Sequence, residues 1–292
     1  MTTRKNDNKA VREIVSEIAE IAGLLWEKGW AERNAGNISV NITSLISSQE
    51  MMQIQDLPLV KKVVIQPFPA GRFFPFSRRI EADQGVHALA GQVFIFTGIG
   101  TRMRDVCKNP LDNLCFVRIS DTGSGYYIFP WLTGNSIRPP TSELPTHLVI
   151  HEYLLRSKPD VKAVVHTHAH ELVALSHINR FQSSKAMNRL LWSMHPETVL
   201  FVPEGVGVVP YSMPGTEKIA RTTLRELKKH PVILWEKHGI MATGRNVTEA
   251  FDSIDILAKS ARIYFSCRSA GFDPEGLTGK EINDIRKNFL KE

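Results

Sequence analysis

The residues best suited to chemistry are two histidines one residue apart, His166 and His168, at the end of an apolar run. Side chains alternate along an extended chain, so both imidazoles project from the same side of a strand. Two imidazoles at this spacing can bind one cation, and a third histidine nearby would leave a coordination position open, as catalytic zinc requires. His238 is the candidate for the third, because it follows the apolar run 232–235 and precedes Gly239, where the backbone can turn sharply beside a ligand. On spacing alone, the first two histidines could equally be unrelated surface imidazoles.

Three further histidines have ligand-like spacing. His170 would continue the alternation, but it lies where the chain is expected to turn into a helix. His147 and His151 are four residues apart on an expected helix, which also imitates a metal-binding pair. We interpret these two as residues of the core edge or the surface.

A carboxylate, Glu143, lies where a helix is expected to begin. We predict that this helix runs over residues 142–156, with Thr141 or Ser142 as its N-cap and Pro145 in its first turn. A helix N-terminus presents free N–H groups that suit a phosphate. On spacing alone, however, Glu143 is explained by the attraction between a first-turn carboxylate and the helix dipole.

Two turn-like segments could supply further N–H or amide donors. They are Asn34–Asn37 and Thr97–Gly100, and each taken alone is adequately explained as a turn.

The elements that must position these residues mix helices and strands along one uninterrupted chain. Helices are predicted over 11–29, 142–156, 171–178, 216–229 and 247–270, and strands over 38–42, 63–65, 93–96, 114–119, 126–129, 161–165, 199–202 and 232–235. Because strict βαβ repetition is absent, we predict a single α/β domain over residues 11–292, with a mostly antiparallel central sheet flanked by helices. Residues 1–10 are predicted to be a flexible N-terminal tail. Residues 43–82 give no clean pattern.

Composition argues against several classes of protein. The chain has 292 residues, with 36 Lys and Arg against 30 Asp and Glu, and its basic pairs do not extend into a stripe, so we expect no nucleic-acid partner. The longest uncharged run, residues 84–101, contains four glycines, so we expect no membrane association. The N-terminal residues lack the apolar core of a signal peptide, and the three cysteines are too few for a disulfide framework. We therefore expect a cytoplasmic protein.

Taken together, these motifs resemble the class II aldolase and epimerase family, in the order Asn34-x-Gly36-Asn37, Thr97-Gly98, Ser142-Glu143, His166-x-His168 and His238-Gly239. Within the family, the match is close to the branch that acts on L-rhamnulose 1-phosphate. The strings that carry this match are GWAERNAGN at 29–37, PTSELP at 140–145 followed by His147, PEGVG at 203–207, PGT at 214–216, and the Leu234-Trp235 strand that leads to His238. They extend over nearly the whole chain.

The resemblance implies a site for each motif. His166, His168 and His238 would bind one Zn²⁺ per subunit, and Glu143 would be the catalytic acid/base. The residues expected to line the pocket for the phosphate and dihydroxyacetone phosphate are Asn34, Gly36, Asn37, Thr97, Gly98, Thr141 and Ser142. Glu197 matches a carboxylate that assists from a neighbouring subunit, although the segment before it, 193–196, departs from the family version. Ile99 stands where this branch has a serine. The related fuculose-phosphate enzymes look similar to the Thr-Gly-Ile version found here, so the effect of Ile99 on phosphate binding stays open.

The function implied is cleavage of a phosphorylated ketose, L-rhamnulose 1-phosphate, to dihydroxyacetone phosphate and L-lactaldehyde through a zinc-stabilised enediolate. The resemblance also implies a homotetramer with its active site at the subunit boundary. Alternatives on the same scaffold are an L-fuculose-phosphate aldolase, a pentulose-phosphate 4-epimerase and a sugar-phosphate dehydratase. A more remote alternative is a non-catalytic interaction domain of the same fold. The metal also stays open, because imidazole ligands accept cobalt, iron or manganese.

Overall fold

The computed structural model describes residues 8–56, 62–64, 86–130, 138–213 and 217–290. The α-helices are α1 (Lys9–Glu27), α2 (Ser48–Asp56), α3 (Met103–Lys108), α4 (Pro110–Asn113), α5 (Leu144–Ser157), α6 (His170–Ser176), α7 (Ser184–Met194), α8 (Pro196–Phe201), α9 (Glu217–Leu227), α10 (Val247–Ser269) and α11 (Gly279–Phe289). The strands are β1 (Asn37–Asn41), β2 (Lys62–Val64), β3 (Val93–Thr97), β4 (Leu114–Ile119), β5 (Gly125–Phe129), β6 (Ala163–Thr167), β7 (Val206–Val209), β8 (Val232–Trp235) and β9 (Gly239–Gly244).

The strands in the described residues form one sheet in the order β2-β5-β4-β3-β1-β6-β9-β8-β7. All neighbouring pairs are antiparallel except β7 and β8, which are parallel. The prediction of an α/β fold with a mostly antiparallel sheet is confirmed. β1 lies at the middle of the sheet, between β3 and β6, although it is the first strand of the chain.

Helices cover both faces of the sheet. Successive residues of β1 point to opposite faces. Ile38 and Val40 face the core that includes α1, α7 and α10, whereas Ser39 faces α5. On the α5 side, Leu148 packs with Phe94 and Phe96, and a further apolar cluster joins α5 and α9 to the other end of the sheet. A central sheet buried on both faces gives the site a rigid support.

One strand prediction is wrong. Residues 199–202 were expected to be a strand because they are apolar and partly β-branched, but residues 196–201 form helix α8. Pro196 occupies the first turn, where a missing N–H costs nothing and the fixed φ favours a helix. Thr198 and Val199 are buried on the inner side of this helix, which packs against α10 and α11. Tertiary burial therefore decides the conformation over β-propensity.

The N-cap expected at Thr141 or Ser142 is also wrong, because the helix begins at Leu144 with Glu143 in the N-cap position. The preceding residues are held by β3 instead: Pro140 forms a β-bridge with Gly98, and the Thr141 N–H donates to the Thr97 carbonyl (2.9 Å). This pairing keeps Pro140 and Thr141 out of the helix.

At the N-terminus, α1 begins at Lys9, because the Asn8 side chain accepts a hydrogen bond from the Val11 N–H (3.1 Å) and caps the helix. Residues 1–7 of the expected tail lie outside the described residues, as do 214–216 and most of 57–85. Within the described ranges, the helices lack the uninterrupted apolar length that a bilayer crossing requires.

Candidate active site

Segments far apart in sequence meet at one end of the central strands of the sheet. β1 begins there at Asn37, which pairs with His166 near the end of β6. On the other side of β6, the pairing with β9 places His166 opposite Met241. The tight turn from β8 to β9 therefore lies beside the end of β6, and His238 lies in that turn.

The three candidate ligand histidines form a nearly equilateral triangle. Their ring centroids are 5.4 Å apart for His166–His168, 5.2 Å for His166–His238 and 5.3 Å for His168–His238. One nitrogen from each ring lies within 4.8 Å of the others, so a single ion could contact all three. Among the described residues, no other group of three histidine, cysteine or carboxylate side chains has this arrangement.

Two of the rings are oriented through their Nδ1 atoms. His166 Nδ1 donates to the Ile240 carbonyl (3.0 Å), and His168 Nδ1 donates to a Glu32 carboxylate oxygen (2.6 Å). Each bond leaves Nε2 with its lone pair available to a cation. His238 instead stacks on Trp235, with ring centroids 5.3 Å apart.

Burial keeps the imidazoles of His166 and His238 neutral. It lowers the pKa of His166 to about 3, with the neighbouring His168 adding to the shift. Burial and His166 also lower the pKa of His238 to about 4, although Glu143 opposes the shift. Neutral imidazole is the form that binds a metal, so both rings are ready to bind at neutral pH.

Glu143 faces the triangle from the beginning of α5, with its Oε1 3.8 Å from His166 Nε2. Burial raises its pKa, while the neighbouring His238 and a hydrogen bond from Asn37 oppose that shift. In the described part of the chain, Glu143 Oε2 and His166 Nε2 are buried without a hydrogen-bond partner. Buried polar atoms normally have partners, so these two atoms fit a group that the protein binds.

A cavity of about 250 Å³ opens over the triangle. It is lined by every residue predicted for the substrate pocket, the metal and the acid/base: Asn34, Gly36, Asn37, Thr97, Gly98, Thr141, Ser142, Glu143, His166, His168 and His238. Ala35, Ile99, Gly100 and Thr101 complete its wall. The Ile99 side chain is 46% exposed at this wall, so it presents an apolar surface beside the polar donors.

Two glycines make room for the histidines. A Cβ at Gly239 would lie 2.8 Å from His166 Cε1, His168 Cδ2 and the Thr167 carbonyl oxygen. Gly36 has φ of +80°, and a Cβ there would lie 3.0 Å from the His166 carbonyl oxygen. Larger residues at either position would displace the candidate ligands.

His147 and His151 are buried in the α5 side of the core, consistent with the interpretation of a core position. His147 Nε2 contacts Asn37 Oδ1, which can only accept, so His147 donates from Nε2. Its Nδ1 then accepts from the Ser39 hydroxyl (2.6 Å), which in turn accepts from His151 Nε2 (2.7 Å). This chain occupies the Asn37 oxygen and leaves its amide N–H groups for the cavity.

Glu197 lies elsewhere. It is in α8, outside the cavity wall, and pairs with His195 Nε2 at 3.0 Å while remaining 49% exposed. The sequence reasoning did not single out Glu32 or Ser39, which position His168 and His147. Glu32 belongs to the 29–37 string that carried the family resemblance, but a contact across 136 positions leaves no local signal.

Comparison with known proteins identifies the family of this chain. The family model for the class II aldolase and adducin N-terminal domain matches residues 86–265. A rhamnulose-1-phosphate aldolase of Bacteroides thetaiotaomicron is 38% identical over 280 residues, covering 96% of this chain and 95% of the relative. Another, of Mannheimia succiniciproducens, is 33% identical, covering 91% of this chain and 90% of the relative.

Among solved structures, a sugar-phosphate aldolase from Thermotoga maritima superposes with a TM-score of 0.70 at 32% identity, covering 91% of this chain and all of that one. The match to the family model extends over more than half of the chain, and the similarity to the relatives over nearly all of it. The chain therefore belongs to the class II aldolase family and is close in sequence to its rhamnulose-1-phosphate aldolases.

Proposed function

We propose that the chain is a zinc-dependent aldolase that cleaves L-rhamnulose 1-phosphate to dihydroxyacetone phosphate and L-lactaldehyde. The observation that carries the proposal is a triangle of three histidines with Glu143 against it, in a cavity lined by the expected pocket residues. The relatives that bear this activity in their names align over nearly the whole chain, which supports the choice of sugar.

In this proposal, His166, His168 and His238 bind one zinc ion per subunit. Three neutral ligands leave the ion its full double charge, and bound zinc then acts as a Lewis acid toward the ketone and hydroxyl oxygens of the substrate. Such an acid is needed because cleavage places negative charge on the carbon beside the ketone. Two of the buried, unpartnered atoms at the site, His166 Nε2 and Glu143 Oε2, support this use of the triangle.

Glu143 moves the proton at C3 of the ketose. Burial raises the pKa of this carboxyl group, and an elevated carboxyl pKa is a common feature of catalytic acid/base residues. Its position beside His166, at the beginning of α5, supports this role.

The phosphate and the dihydroxyacetone part lie against the residues of the expected pocket: Asn34, Gly36, Asn37, Thr97, Gly98, Thr141 and Ser142. Because His147 occupies the Asn37 oxygen, the Asn37 amide faces the site with its N–H groups, which also donate to Glu143. The three residues that precede α5, Thr141, Ser142 and Glu143, line the same cavity.

The proposal includes a cytoplasmic homotetramer in which Glu197 assists a site on the neighbouring subunit. The exposure of Glu197 and its distance from its own cavity are compatible with a role across a boundary. Sedimentation of the purified protein tests the tetramer directly.

The first experiment measures release of dihydroxyacetone phosphate from L-rhamnulose 1-phosphate, with and without a chelator. Release that the chelator abolishes and zinc restores is the expected result. Release from L-fuculose 1-phosphate but not from L-rhamnulose 1-phosphate would change the proposed substrate and leave the proposed reaction in place. Metal-containing protein that turns over no sugar phosphate would overturn the proposal in favour of an interaction domain.

A further inference from the structure

Glu32 lies outside the cavity wall, yet its carboxylate forms a hydrogen bond directly with a candidate metal ligand. Its Oε1 lies 2.6 Å from His168 Nδ1, and a carboxylate can only accept, so the imidazole donates. We infer that Glu32 is a positioning residue for the metal site: it fixes the His168 ring with Nε2 toward the cavity and raises the basicity of that nitrogen. The inference deepens the proposed function and rests on His168 being a ligand.

The loop that carries Glu32 is attached to the ligand strand at a neighbouring residue. The Trp30 carbonyl accepts two hydrogen bonds from the end of β6, from the His168 N–H (2.9 Å) and from Thr167 Oγ1 (2.7 Å). Glu32 is therefore two residues along the chain from the Trp30 carbonyl, which is hydrogen-bonded to the His168 N–H. Its carboxylate reaches the ring although the side chain is 65% exposed.

The side chain of Trp30 is also held in place by hydrogen bonding and burial. Its indole N–H donates to Glu171 Oε2 (2.9 Å), and the Glu171 carboxylate also accepts from Arg262 Nε of α10 (3.2 Å). Trp30 is fully buried, with its ring centroid 6.2 Å from that of Phe251. These contacts hold the loop whether or not a metal is bound, so the position of Glu32 is built into the fold.

The three histidines differ in what supports them. His166 donates to a backbone carbonyl, which no substitution can remove, and His238 Nδ1 is buried without a hydrogen-bond partner in the described residues. His168 alone donates to a charged group. A carboxylate behind an imidazole fixes its tautomer and makes it a stronger donor, and loss of such a partner typically weakens metal binding by about 10–100-fold.

The test measures zinc affinity by competition with a chromophoric chelator, in wild type, Glu32→Gln and Glu32→Ala. Glutamine keeps a hydrogen-bond acceptor but loses the charge, whereas alanine loses both. We expect affinity to fall in the order wild type, Glu32→Gln, Glu32→Ala, with a total loss of about 10–100-fold. Glu27→Gln, an exposed residue at the end of α1, is the matched control and should bind zinc like wild type.

The melting temperature of each metal-free protein separates positioning from general stability. Because Trp30 and not Glu32 anchors the loop, the metal-free melting temperatures should agree. Both Glu32 variants binding zinc as tightly as wild type would overturn the inference and leave the proposed function intact. A wild type that binds no zinc would overturn the proposed function itself.

Discussion

The histidines of this chain divide by what their ring nitrogens contact. His147 and His151 use theirs within the core, through Ser39 and Asn37. His166 and His168 each use Nδ1 to fix the ring and keep Nε2 for the cavity. Both pairs have ligand-like spacing in sequence, yet their contacts differ, because one pair lies inside the core and the other at the end of the internal strand β6.

Replacing Glu143 with Gln should reduce turnover by about 10²–10⁴-fold, the usual contribution of a positioned acid/base. Glutamine keeps the size of the side chain and cannot exchange a proton, so bound metal should remain near one per subunit. The measurements are kcat with saturating L-rhamnulose 1-phosphate and metal content by mass spectrometry. Unaltered kcat would remove Glu143 from the mechanism.

Replacing His166 with Ala should release the metal, since the proposed ion would be held by all three rings and this ring is the most deeply buried of them. Metal content after dialysis checks this, with His177→Ala as the control, because His177 is an exposed histidine at the end of α6. Full metal retention in the His166 variant would refute the ligand set.

At the scale of elements, apolar strands bounded by turns are predicted best. Strands over 114–119 and 232–235 begin and end as expected. The run at 199–202 has similar apolar character, yet Pro196 starts a helix there. Residues 206–209 received no prediction, and their conformation depends on parallel pairing with β8, which short-range pattern cannot reveal.

The residues that line the cavity were predicted more completely than the residues that hold them in position. The alternating histidines and the family resemblance identified all the residues that line the cavity except four wall residues, Ala35, Ile99, Gly100 and Thr101. The positioning roles of Glu32 and the Trp30 carbonyl were not predicted, because their contacts join residues that are more than 130 positions apart. Such contacts follow from strand order, which the sequence alone did not specify.

The turn between β8 and β9 gives a prediction about Gly239. Gly239→Ala should weaken metal binding and destabilise the protein by about 1–3 kcal/mol, because the new methyl group would overlap both His166 and His168. Zinc competition and urea unfolding measure the two effects. Gly279→Ala is the control: nothing lies within 4 Å of its Cβ position at the start of α11, so stability should hold or rise slightly. Equal behaviour of the two variants would contradict the argument.

Helix α5 gives a prediction about pH. Burial, followed by the charge of Lys162, lowers the pKa of His151 to about 3, whereas its unfolded value is about 6.5. Between these values the unfolded chain binds a proton that the folded chain does not, so stability falls as pH drops below about 6.5. The slope approaches about 1.4 kcal/mol per pH unit for one such group.

Urea unfolding of the metal-free protein at pH 7.5, 6.5 and 5.5 tests this. His151→Gln, which cannot take up the proton, should lose less stability than wild type over that range, while His177→Gln should follow wild type. Parallel pH profiles for wild type and His151→Gln would contradict the assignment.

At the scale of the whole molecule, the question is whether one subunit holds a complete site. The cavity contains Glu143 and the three histidines, while Glu197 lies outside it on α8. In closed, symmetric assemblies a residue on one subunit can serve a site on the next.

Co-expression of Glu143→Gln and Glu197→Gln chains distinguishes the two arrangements. If Glu197 acts from a neighbour, random assembly should make about a quarter of the sites fully wild type, and activity should recover to about that fraction. The assay is dihydroxyacetone phosphate release from mixed oligomers, compared with each variant alone. Recovery near zero would place Glu197 with its own site, and full activity of Glu197→Gln alone would remove it from catalysis.

The place of β1 between β3 and β6 also determines when the site can exist during synthesis. The site forms only when three parts of the chain have paired: the first strand, β6 more than 120 residues later, and the hairpin that ends at Gly244. A nascent chain still lacking that hairpin has His166 and His168 but no third imidazole. Such non-local pairing folds slowly. A metal ion that needs all three imidazoles can therefore bind only at a late stage of folding, when it would stabilise a finished fold instead of nucleating it.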